Sequence, residues 1–122
     1  MREFSVGPDP YGATWKVRFV WLQNAISIRH ADAVDCKFAV DDGFSGVREI
    51  VISLSHPMLR EMHRRLGRPL TDSWCMQLAS AHLAHMIRSG EDIEKTLVAV
   101  SGEDLERANA AVEAKGRAVV AG

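Results

Sequence analysis

What this chain has little of narrows its possibilities before any motif is read. It carries only two cysteines, Cys36 and Cys75, in different predicted elements and far from C-x-x-C spacing, so neither a zinc ribbon nor a dithiol redox pair is encoded. Both thiols are expected to be buried and reduced. No apolar run approaches the roughly 18 residues that a membrane span needs, and the N-terminal MREFSVGPDPYG lacks the apolar core of a secretory signal, so no membrane association and a cytoplasmic location are expected. Net charge is almost absent, −1 from 15 bases and 16 acids, so no whole-molecule field draws the protein towards nucleic acid or an anionic bilayer. Also missing are a glycine-rich phosphate loop, a G-x-S-x-G elbow and an H-E-x-x-H pair. Asp41-Asp42-Gly43 and Glu91-Asp92-x-Glu94 lack the alternating oxygen ligands and closing glutamate of a calcium loop. No cofactor is called for.

What is present suits an ordinary globular chain. With 122 residues, 47% apolar and 25% charged, residues 1–122 make one domain without repeat or linker, opening on a turn-rich segment at 1–13 and closing on a loose tail at 117–122. Arg2 to Val6 reads as a short edge strand. Thr14 to Gln23 alternates, with Trp15, Val17, Phe19 and Trp21 on one face and Lys16 and Arg18 opposite. Gln23-Asn24 can turn the chain into a further strand at Ala25 to His30. Val34 to Asp41 alternates again, Asp42-Gly43 and Gly46 reverse it, and Val47 to Leu54 follows, with Ile50, Val51 and Ile52 predicting cover on both faces.

After residue 54 the period changes. Ser55 and Pro57 open a helix that Gly67 closes, with Met58, Leu59, Met62 and Leu66 on one side. Asp72 to Arg88 is the longest helical run, capped by Thr71 or Asp72 and stopped by Gly90. Its apolar arc, from Trp74 and Cys75 to Met86 and Ile87, covers more than half the circumference and needs two covering layers, a sheet and either another helix or a second subunit. Thr96 to Val100 is one more short strand, and Ser101-x-x-Asp104 opens a last helix ending near Gly116. The fold class is therefore α+β: an antiparallel meander of four to five strands, two helices, a short strand and a C-terminal helix, with the helices on the face of Val17, Phe38 and Ile52.

Three groups of residues bear on function. Cys75, His82 and His85 are chemically fit metal ligands, but only Cys75 and His82 stack on one helix face, a third and fourth donor would have to come from elsewhere, with His56 and His63 nearby in sequence, and Cys75 on an apolar arc makes a poor nucleophile. They define an alternative in which the protein is a small enzyme or a ligand- or metal-binding domain. Arg60, Arg64, Arg65 and Arg68 form the basic patch of a would-be helix-turn-helix, yet the second helix opens on Asp72 and has no Lys or Arg before Arg88, so nucleic-acid contact would be non-specific. Finally, the apolar strand and the wide helix arc exceed what one layer covers, predicting a homodimer with Trp15, Val17, Phe19, Trp21 and Trp74 at its interface unless the N-terminal segment and the last helix fold back over them. The leading expectation is a non-catalytic interaction or assembly module.

Overall fold

A computed structural model describes residues 3–23 and 32–121, the last five as backbone alone. The fold is α+β, with strands β1 (Glu3–Val6), β2 (Trp15–Gln23), β3 (Ala33–Asp41) and β4 (Val47–Ser55), helices α1 (His56–Leu66) and α2 (Asp72–Ser89), strand β5 (Leu97–Ala99) and helix α3 (Gly102–Ala121). The strands form one sheet in the order β1-β2-β3-β4-β5, antiparallel throughout except that β5 runs parallel to β4. A parallel neighbour requires a crossover, which α1 and α2 supply. The strand expected at 25–30 lies outside the described residues.

The register assigns every side chain to a face. Val6, Trp15, Val17, Val34, Cys36, Phe38, Val40, Ile50, Ile52, Leu54 and Val98 point inward and are buried, Val17, Phe38 and Ile52 among them as expected. One step breaks the alternation of β2. Phe19 lies opposite Phe38 but Trp21 lies opposite Lys37, so two residues of β2 span one step of β3 and Val20 is the surplus residue of a bulge. Beyond it the faces exchange. Leu22 turns in beside Cys36, while Trp21 turns out, its ring covered by the Lys37 ammonium 4.9 Å from the centroid. The strict alternation read from Trp15 to Trp21 is thereby corrected, because a bulge flips the side-chain phase without any change in hydrophobic pattern.

Helix ends follow their sequence signals. The Ser55 hydroxyl accepts from the Met58 amide and the Thr71 hydroxyl from the Trp74 amide, at 3.4 and 3.1 Å, and Gly67 and Gly90 close α1 and α2 in the left-handed conformation. Of the four apolar residues expected to share one side of α1, Leu59 and Met62 are buried, whereas Met58 and Leu66 remain exposed. Eight residues of α2 are buried, Trp74, Cys75, Leu78, Ala79, His82, Leu83, Met86 and Ile87, because α2 lies between the sheet and α3. The second layer demanded by its wide arc is thus the chain's own last helix. At that α2–α3 boundary the Trp74 indole N–H donates to the Asn109 side-chain oxygen at 3.4 Å.

Two further expectations are corrected. α3 runs through Gly116 to Ala121, so residues 117–121 continue a helix and are not a loose tail; one glycine costs a helix only about 1 kcal/mol and does not by itself stop it. Val51 is only half-buried on the outer face of β4, whereas Ile50 and Ile52 are fully buried on the inner one; the run Ile50 to Ile52 marks an interior strand, paired on both edges, whose outer face is only partly covered among the described residues.

Candidate functional site

The three residues of the metal reading are not brought together. Cys75 is buried in the core, and desolvation pushes its thiol up to about 12; Cys36 behaves alike, with the neighbouring Cys75 and then Asp35 and Asp72 adding to the effect. Neither thiol is acidic enough to act as a nucleophile near neutrality. His82 is buried against α3, and its Nδ1 has no hydrogen-bond partner. Burial lowers its pKa below the ordinary value of 6.5, a shift opposed by Asp104 and Asp92 and reinforced by Arg107 and His85. His85 is half-buried one turn along, its ring centroid 6.3 Å from that of His82, and its Nε2 lies 3.5 Å from a Glu91 carboxylate oxygen. Among the described residues no three His, Cys, Asp or Glu side chains converge to hold a metal ion. The reason is helical spacing: one helix face stacks Cys75 and His82 two turns apart, about 10 Å, which no single ion bridges.

The basic patch is real as a surface. Arg60, Arg64 and Arg65 are exposed on α1, Arg64 paired with Glu61 and Arg65 with Glu106 of α3, and the His63 ring Nδ1 donates to the Arg68 carbonyl. Arg68 is half-buried, with an Nε that finds no partner. α2, the helix that would have to enter a DNA groove, is enclosed between the sheet and α3. The helix-turn-helix reading therefore has no recognition helix to offer.

The expected interface residues divide. Trp15, Val17 and Trp74 are inside the chain's own core and are unavailable to a partner, a correction whose cause is the fold-back of β1, α2 and α3 over them. Phe19 is half-buried and packs edge-on against Phe38, with ring centroids 5.7 Å apart. Trp21 lies on the outer face. That face carries matched charge: Glu3 is opposite Arg18, Lys16 opposite Asp41, and the Lys37 ammonium sits 3.3 Å from Glu49.

A different place collects unsheltered aromatic surface. Tyr11, in the loop before β2, is 96% exposed, and Phe44, in the β3–β4 loop, is 86% exposed. They flank one depression of about 350 Å³, lined otherwise by Asp9, Gly12, Ala13 and Asp42. Each ring is held out by a carboxylate that organises its loop. Asp9 accepts from the Trp15 indole N–H at 2.8 Å and from the Tyr11 and Ala13 amides at 2.9 Å. Asp42 accepts from the Phe44 and Ser45 amides at 2.8 and 2.7 Å. These hydrogen bonds hold both carboxyls below the usual carboxylate range, led at Asp9 by the Trp15 indole and at Asp42 by the Ser45 amide.

Compared with known proteins, the chain matches no family model, no curated protein and no solved structure. The site therefore rests on geometry alone.

The close of α2 reinforces this end of the molecule. Gly90 has φ 79°, and a Cβ placed there would lie 3.2 Å from Pro10 Cγ, so the acidic turn that follows lies against the Tyr11 loop. The Arg48 side chain donates to the Ile93 carbonyl and ties β4 to the same turn. Sequence reading passed over Tyr11 and Phe44, although each is a large aromatic set inside a run of turn residues, PDPYG and DDGFSG, where nothing in the turn chemistry asks for a ring.

Proposed function

We propose that this protein is a non-catalytic interaction module that associates with copies of itself. The observation that carries the reading is the pair of exposed rings, Tyr11 and Phe44, on adjoining loops. Two large aromatics exposed around one depression form the kind of apolar patch that a partner covers, and buried aromatics dominate the energetics of many interfaces. The alternative, an enzyme or metal-binding domain built on Cys75, His82 and His85, draws less support, since both thiols are pushed to about 12 and the three donors are dispersed. A cytoplasmic home, where thiols stay reduced, belongs to the same proposal. No helix of the described residues is long and apolar enough to cross a membrane.

Light scattering across a concentration series tests the reading. The expected outcome is a mass above that of one 13.5 kDa chain, rising with concentration. A single-chain mass that stays constant into the high micromolar range would refute self-association.

A further inference from the structure

The two surfaces that stand out chemically lie at opposite ends of the fold. The 42–46 loop precedes β4 and α1 follows it, and a nine-residue strand separates them by about 30 Å. α2 spans a similar length: Gly90 at its close meets Pro10, while Arg68 stands just before its Thr71 cap. One end therefore presents Tyr11, Phe44, Asp9 and Asp42, and the other presents the arginines of α1.

The two ends complement each other group by group. None of the six residues lining the depression is a base; Arg48, behind Trp15 with its guanidinium 6.0 Å from the ring centre, is already committed to the Ile93 carbonyl. At the far end, residues 56–70 carry four arginines against the single acid Glu61. Arg60 and Arg64 are exposed one turn apart on one side of α1, and the Arg60 guanidinium has no ion pair among the described residues. A guanidinium stacks on an aromatic face and pairs with a carboxylate at the same time, which a lysine does less well. The depression offers two rings and two carboxylates, and α1 offers the unpaired Arg60 guanidinium one turn from that of Arg64, whose exposed pairing with Glu61 is weak enough to be exchanged for a partner's carboxylate.

From this complementarity we propose that a second copy of the chain docks head to tail, the Arg60 and Arg64 face of α1 on one copy seated in the Tyr11–Phe44 depression of the next. This rests on the self-association proposed above and names its contact. Such a contact is heterologous, so each copy keeps one unfilled end of each kind and the association is open-ended unless it closes into a ring. Charge provides much of the recognition, so the apparent dissociation constant should rise by about tenfold from low to high salt.

A mixing experiment by sedimentation equilibrium tests it. One variant, Tyr11→Ser with Phe44→Ser, disables the acceptor end; the other, Arg60→Glu with Arg64→Glu, disables the donor end. All four residues are exposed, and circular dichroism checks that both variants fold. Each variant alone should be monomeric. Mixed in equal amounts, they should form a one-to-one dimer and nothing larger, because the donor end of the first still fits the acceptor end of the second. Wild-type association that neither variant weakens would overturn the head-to-tail contact while leaving the assembly reading standing. A wild-type chain that is monomeric at low salt would overturn both. A monomeric chain whose Tyr11 and Phe44 signals nonetheless shift on adding an arginine-containing peptide would replace the second copy with a foreign partner, and would likewise overturn the proposal.

Discussion

Deleting Val20 should leave this fold standing, whereas deleting Val51 should not. Between Phe19 and Trp21, β2 spends one residue more than β3 opposite it. Removing Val20 lets the ladder close with every other residue keeping its face: Trp15, Val17, Phe19 and Leu22 inward, Lys16, Arg18 and Trp21 outward. The loss is one half-buried valine and the local twist of the bulge, about 1–2 kcal/mol. β4 has no such surplus, since its register with β3 is unbroken from Val47 to Ser55. With Val51 gone, one half of β4 must slip by a residue, and a slip of one residue exchanges the faces. If the second half slips, Ile52 and Leu54, both fully buried, turn to water at about 1.5–3 kcal/mol each, and the Ser53 hydroxyl enters the core at roughly 1–3 more. The sum, about 4–9 kcal/mol, is comparable to the roughly 5–15 kcal/mol that holds a domain of this size together. Urea unfolding followed by tryptophan fluorescence measures both. Equal losses for the two deletions, or an unfolded chain lacking Val20, would refute the bulge and with it the outward placement of Trp21.

Three further outcomes follow from the buried polar and sulfur groups. Burial lowers the His82 pKa below 6.5 in the folded chain, so the unfolded chain binds the proton more readily; stability is complete above pH 6.5 and falls as the pH drops through that value towards the folded one. His82→Phe should flatten that part of a Tm-against-pH curve, and an unchanged slope would move the acid sensitivity elsewhere. Cys36 and Cys75, both near 12, should resist alkylation at neutral pH until denaturant is added, and rapid labelling of the native protein would contradict their burial. Asn109→Leu leaves the Trp74 indole N–H without an acceptor at the α2–α3 boundary and should cost about 1–3 kcal/mol in urea melts, whereas no loss would show that the bond contributes nothing.

Much of the architecture was legible because its signals are local. Ser55, Thr71, Gly67 and Gly90 mark helix ends through hydrogen bonds and a left-handed turn that neighbouring residues decide. Alternation in β3 and β4 fixed which face is buried. What escaped depended on pairing between distant segments. The Val20 bulge exists only by reference to β3, and a string of apolar residues such as Phe19 to Leu22 reads equally well in either phase. Whether α3 or a second subunit covers α2 is likewise undecidable from the arc of α2, which states the need for cover and not its source. At the candidate site, the carboxylates that hold Tyr11 and Phe44 outward were visible as turn formers, but that two loops separated by β2 and β3 share one depression is a fact of topology.

α3 makes its extensive contacts with α2 and not with the sheet, which gives the molecule an inner body and a detachable outer layer. Opening that layer need not disturb a single ladder hydrogen bond, so amides of α3 should exchange with solvent well before those of β3 and β4. Synthesis runs in the same sense. The sheet strands β1 to β4 and α2 leave the ribosome before α3, and until α3 arrives the side of α2 carrying Trp74 and His82 stands bare. That interval is when a chaperone, or another nascent copy, would find its most adhesive surface.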